Sequence, residues 1–210
     1  MKNYRPAAAG LTSYQNLHLR SVKSFFPMKK ILLTLSLCAA IAPAFAQKYM
    51  TRTGRVSFFS ATKMENIEAI NNDAACVIDS KSGDVMLQVP VKSFRFEKQL
   101  MQEHFNENYM ESDKFPKAEF RGKIGDITGI NFQKEGTYNV KAAGKLTMHG
   151  TTRDVAAAGT ITIKGGSAVL TSKFSISPKD YGIKIPGLVA GKIAENIDVT
   201  VSSLLNPVKQ

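Results

Sequence analysis

The chain has 210 residues, 28 of them basic and 17 acidic, for a net charge of +11. Beyond residue 46 the basic side chains stand singly along the sequence instead of forming a stripe, which argues against a nucleic-acid footprint. In the same span only Cys76, His104 and His149 remain, too few for a disulfide framework or a conventional three-ligand zinc set.

The first elements are processing signals. Met28-Lys29-Lys30, the apolar run 31–42 and Pro43-Ala44-Phe45-Ala46 have the basic start, apolar middle and small-residue end of a secretory signal peptide cut after Ala46. The apolar run is shorter than the roughly 20 residues of a membrane span, so no stable membrane insertion is expected after cleavage. Residues 1–27 are too long an extension for such a signal, and Met28 is read as the true start, with 1–27 as upstream read-through. The mature chain then begins at Gln47 and suits one domain. Removing the six basic residues and no acid before Gln47 lowers the net charge to +5. Cys38 leaves with the signal, and Cys76, in the apolar stretch "AACVIDS", reads as a buried structural thiol.

Beyond Gln47 the dominant period is two. Segments 55–61, 74–79, 83–91, 118–124, 137–150, 152–164, 167–177 and 196–205 are rich in β-branched and aromatic residues, and turn-forming clusters separate them. Asn71-Asn72-Asp73, Ser80 to Gly83, Glu135-Gly136, His149-Gly150 and Gly165-Gly166 are the expected turns. Eight strands joined in this way predict an all-β, antiparallel barrel or sandwich, and the long pair 137–164 suits a tilted barrel wall.

One segment departs from this rhythm. Phe96, Leu100, Met101, Phe105 and Tyr109 recur at helical spacing, predicting one short amphipathic helix near residues 96–110 across an end of the barrel. On that helix His104, Glu107 and Glu111 would share a face, where imidazole and carboxylates could hold a metal or pair as acid and base. The same side carries Asn108, Ser112, Asp113 and Lys114, so a solvent face with ordinary helix formers accounts for it as well. No P-loop, GxGxxG or Gly-x-Ser-x-Gly elbow is present, and no cofactor is called for.

Segment 177–196, with two prolines and three glycines, is a long excursion before the last strand, and such loops are often functional. A barrel without catalytic residues can still hold a guest in its interior. Nine phenylalanines lie beyond Gln47 with no tryptophan, and several alternate with small residues, as in "AEFRG" and "AAAG". The cavity-lining candidates are Phe58, Phe94, Phe96, Phe105, Tyr109, Phe120, Leu146, Met148 and Phe174. Composition alone leaves a filled barrel and a hollow one equally open.

Two motifs carry a resemblance. "HFNENYMESDKFPKAEFRGKI" (104–124) resembles the His-hydrophobic…(Tyr/Phe)-Pro-x-x-x-Phe segment of the YceI-like family of exported bacterial proteins, through His104, Phe105, Phe115, Pro116 and Phe120. "GKLTMHGTTRDV" (144–155) resembles that family's Gly-x-Leu-Thr hairpin, through Gly144, Leu146, Thr147, Gly150, Thr152, Arg153 and Val155. The resemblance implies an eight-stranded lipocalin-like barrel over 47–210, closed by a helix, with a long apolar cavity for polyisoprenoid or isoprenoid-quinone-like lipids in the periplasm. Where the family often has Arg-Asp before the histidine, this chain has Met101-Gln102, so no head-group contact is carried over there.

The expectation is therefore a periplasmic or secreted, non-enzymatic lipid-binding protein that transports or stores its ligand. His104 and the neighbouring acids would anchor the rim of the cavity through hydrogen bonds. The alternatives are a metal-binding or hydrolytic protein using His104 with Glu107 or Glu111, and a ligand-free structural β-protein. Oligomeric state stays open, a homodimer included.

Overall fold

The structure, a computed structural model, describes residues 47–208. The expected read-through segment (1–27) and signal peptide (28–46) lie outside the described residues. The strands are β1 (Lys48–Ala61), β2 (Asn66–Asp79), β3 (Asp84–Pro90), the two-residue β4 (Arg95–Phe96), β5 (Lys117–Ile124), β6 (Gly136–Met148), β7 (Thr151–Lys164), β8 (Ser167–Ile176) and β9 (Ile197–Pro207). Hydrogen-bonded neighbours run β1-β9-β8-β7-β6-β5-β3-β2, and β2 returns to β1, with β4 a stub on β2. The result is the expected closed, eight-stranded antiparallel barrel, whose closure leaves no long sheet edge.

Local chemistry explains the wall. In β7, Ile161 and Ile163 are buried while Thr160 and Thr162 are only partly covered, and Thr162 meets Thr137 of β6 across the strands at 3.0 Å, as the two-residue period requires. The β6–β7 hairpin turns on His149 (φ 50°) and Gly150 (φ 73°), the doubly left-handed pair that matches the twist of flanking strands.

The two rims differ. At one, segment 125–135 folds inward as a plug. Ile127, Ile130 and Phe132 join Tyr49, Cys76, Ile78, Ile161, Leu205 and others in a solid core, with the Tyr49 and Phe132 rings 5.0 Å apart. Burial pushes the Cys76 thiol up to about 12, so it stays protonated. At the other rim the β1–β2 and β6–β7 turns stand across the barrel from each other, with two strands between them on either side. Segments 91–116 and 177–196 cross this rim.

Two expectations need correction. Asn71-Asn72-Asp73 is not a turn but lies inside β2. Pairing of β2 with β3 spans only Ala75 to Ile78, and β3 goes on alone to pair with β5 as far as Pro90. The buried Asn71 side chain fills the gap, its Nδ2 donating to the Pro90 carbonyl at 2.7 Å and its Oδ1 accepting the Asp73 N–H at 2.8 Å. Asn71→Ala is expected to lower the unfolding free energy by about 1–2 kcal/mol, because two part-buried backbone groups lose their partner. A urea titration with unchanged slope would read that loss.

The short helix expected near 96–110 is present, and the second correction concerns the face that His104, Glu107 and Glu111 would share on it. Phe96 belongs to β4, α1 spans Gln99–His104, and Phe105–Tyr109 forms one wider π turn. The Met110 N–H donates to the Phe105 carbonyl at 2.8 Å, and Glu111 takes a left-handed φ of 43°. The helix therefore stops before Glu111, and no face shared by His104, Glu107 and Glu111 is formed.

Candidate apolar ligand cavity

Above the solid core the barrel is hollow. A cavity of about 470 Å³ opens under the two crossing segments, within the roughly 300–1,000 Å³ range of small-molecule sites. Inward positions of the wall line it, among them Val56, Val89, Val199 and Val201. The crossing segments supply its roof: Leu100 and Met101 from α1, and Ile183, Ile185, Val189 and Ile193 from segment 177–196.

Of the cavity candidates read from the sequence, Phe58, Phe94, Phe96, Phe105, Tyr109, Leu146, Met148 and Phe174 line this space. Phe120 does not. It borders a separate hollow of about 80 Å³ lower in the barrel, beside Ala142, Ala157 and Gly159, where the small residues of the wall do leave room.

An aromatic cluster shapes the floor of the roof. The Phe58 ring lies 5.3 Å from Phe94, 5.7 Å from Phe96 and 5.5 Å from Phe105, and Phe105 is 5.0 Å from Phe96 and 5.6 Å from Phe94. These separations suit offset and edge-to-face packing. Through Phe105, the first residue of the π turn, the cluster ties the end of α1, which has no side-chain cap at its N-terminus, to β1 and β4.

The polar residues lining the cavity gather at the open rim. Glu65, in the β1–β2 turn, lies 3.5 Å from Lys98 Nζ and 3.9 Å from Lys192 Nζ. Ser60 Oγ accepts the Ala194 N–H at 2.9 Å. Nothing in a single pass along the sequence joins these residues, because each is an isolated charge or hydroxyl on a different segment.

Across the rim a different histidine holds the roof than the one expected. His104 is exposed at the cavity edge. His149 instead donates from Nδ1 to the Tyr181 carbonyl at 3.1 Å, and its Nε2 lies 3.1 Å from Glu111 Oε2. The ring also packs edge-on against Phe115 at 4.7 Å. Tyr181 is buried beside Val91, Met110 and Met148, and burial holds its phenol above the ordinary range. One β6–β7 turn thus pins both crossing segments. Among the described residues, no group of three His, Cys, Asp or Glu side chains is placed to share a metal ion.

Comparison with known proteins follows from this geometry. The YceI-like domain family matches residues 42–203. The fold is similar to that of a polyisoprenoid binding domain from Saccharophagus degradans implicated in plant cell wall breakdown, with 12% identity, 78% of this chain and 100% of that one covered, and a TM-score of 0.69. It is also similar to BcnA of Burkholderia cenocepacia, with 17% identity, 72% and 95% covered, and a TM-score of 0.60. A third similar structure is the YCEI protein of Campylobacter jejuni, with 16% identity, 71% and 90% covered, and a TM-score of 0.54. No curated protein matches the sequence.

Proposed function

This chain belongs to the YceI-like domain family, and on that premise we propose that it is an exported carrier, periplasmic or secreted, that holds a long-chain apolar lipid of the polyisoprenoid or isoprenoid-quinone type. It acts by binding and release, with no catalytic step. The observation that carries this reading is the cavity of about 470 Å³ walled by Phe, Val, Leu, Ile and Met, with its charged groups confined to the rim. A similar fold is described as a polyisoprenoid binding domain, which supports the ligand class.

The physics is that of area. Each buried methylene contributes roughly 0.8 kcal/mol, so several isoprene units bind tightly without a hydrogen-bond code. The wall also discriminates: a charge or hydroxyl along the chain would lose its hydration and find no partner below the rim, whereas a polar group at one end can stay at the rim.

Addition of a long-chain polyprenol to delipidated protein is expected to raise its stability. At 100 times the dissociation constant the gain is about 2.7 kcal/mol, read as a higher midpoint in denaturant. An unmoved midpoint across polyprenols and quinones, in protein shown to be lipid-free, would leave a structural role without a ligand as the better account.

A further inference from the structure

Three chain segments meet at the open rim of the cavity. Glu65 in the β1–β2 turn faces Lys98 at the start of α1 and Lys192 at the end of the Gly187–Lys192 turn. A β-carbon placed on Gly191 would touch the Met64 sulfur at 3.0 Å, so the two turns are in direct contact. Each segment also turns one large apolar side chain toward water. Met64 is 69% exposed, Leu100 61% and Leu188 97%.

Single exposed apolar residues need no explanation. Three on neighbouring tips round the opening of an apolar cavity are a different matter, since Leu100 and the residue beside Leu188, Val189, also line the interior. The apolar surface of the cavity therefore continues outward onto the tips. The tips belong to three different chain segments. They are single side chains interspersed with the exposed lysines Lys63, Lys98 and Lys192. Apolar tips flanked by long cationic side chains fit the boundary between acyl chains and anionic head groups.

We infer that this collar docks on the surface of an anionic phospholipid bilayer. Met64, Leu100 and Leu188 enter below the head groups while Lys63, Lys98 and Lys192 lie among the phosphates. The inference rests on the carrier reading, because a long apolar chain can then pass between membrane and cavity without crossing water. The rim is built to part there. Both crossing segments send a lysine to one carboxylate, Glu65, at distances longer than a direct hydrogen bond. Lipid phosphates can therefore take over its two lysines while the Ala194–Ser60 hydrogen bond keeps segment 177–196 on β1.

The test uses the absence of tryptophan from the sequence. Leu188→Trp places a single reporter on the collar, and Leu204→Trp places one on β9 near the opposite rim, where Leu204 is 55% exposed. Each protein is mixed with vesicles of phosphatidylcholine and phosphatidylglycerol whose acyl chains carry bromine. The Leu188→Trp emission is expected to shift to the blue and be quenched, and the Leu204→Trp emission to do neither. Adding Met64→Ser and Leu100→Ser to Leu188→Trp should weaken vesicle binding about tenfold. High salt should weaken it further. An unquenched Leu188→Trp, or equal quenching of both reporters, would overturn the docking. Organic extraction of each protein before vesicles are added reads the carrier function separately: bound lipid with an unquenched collar contradicts docking alone, and a quenched collar on a protein that never yields lipid contradicts the carrier reading while supporting the docking.

Discussion

Gly144→Ala, the addition of one methyl group, is expected to cost about 3 kcal/mol or more of stability. Gly144 of β6 pairs directly with Gly122 of β5. A β-carbon at Gly144 would lie 2.2 Å from the Arg121 carbonyl oxygen and 2.3 Å from the Gly122 Cα. These are backbone atoms of the neighbouring strand, so no rotamer change relieves the clash and the two strands must separate. For a domain of this size the loss corresponds to a fall of roughly 6–12 °C in the melting midpoint. Gly125→Ala is the control, because its added carbon would meet only the Lys141 carbonyl oxygen at an ordinary 3.7 Å. Equal midpoints for the two variants would contradict the proposed close approach of β5 and β6. The requirement also gives a physical meaning to the glycine of the Gly-x-Leu-Thr motif: that position is needed for strand contact, not for ligand chemistry.

The second large effect is on binding. Phe105→Asp is expected to abolish measurable lipid retention, weakening affinity by at least a hundredfold, or about 2.7 kcal/mol. Phe105 packs against Phe58, Phe94 and Phe96 and lines the cavity. A carboxylate there loses the ring contacts and adds an unpaired charge to an apolar wall. Phe105→Leu keeps an apolar side chain at the same position and should retain lipid. Circular dichroism distinguishes a loss of binding from a loss of fold. A folded Phe105→Asp protein with full lipid occupancy would show that the guest does not lie where the cavity places it.

The barrel was legible in the sequence because each strand repeats one local rule many times. Ile161 and Ile163 against Thr160 and Thr162, and the His149-Gly150 turn, follow from alternation and left-handed turn chemistry alone. The role of Asn71 is hidden in the sequence for a physical reason. Its neighbours Asn72 and Asp73 have turn composition, but the Asn71 side chain is used to satisfy backbone groups where β3 departs from β2, a demand set by distant segments. The helix shows the same limit. Apolar spacing identifies its cavity face, yet the π turn at Phe105–Tyr109 adds a residue that spacing does not reveal, and so Glu111 meets His149 instead of continuing along the face of His104.

For the cavity, residue type was readable and emptiness was not. Phe105 and Phe132 are equally apolar in the sequence. One borders an open space and the other plugs the far end against Tyr49, because segment 125–135 folds inward and segment 91–116 folds across. The rim was invisible for a related reason: Glu65, Lys98 and Lys192 become a group only when the barrel closes.

Native mass spectrometry of the protein as purified, followed by organic extraction, tests the proposed carrier function most directly. The account predicts added mass that leaves with organic solvent as a long, apolar, isoprenoid-type chain, present in the unaltered protein and absent from folded Phe105→Asp. A bare protein mass that stays bare after incubation with polyprenols and quinones would contradict it.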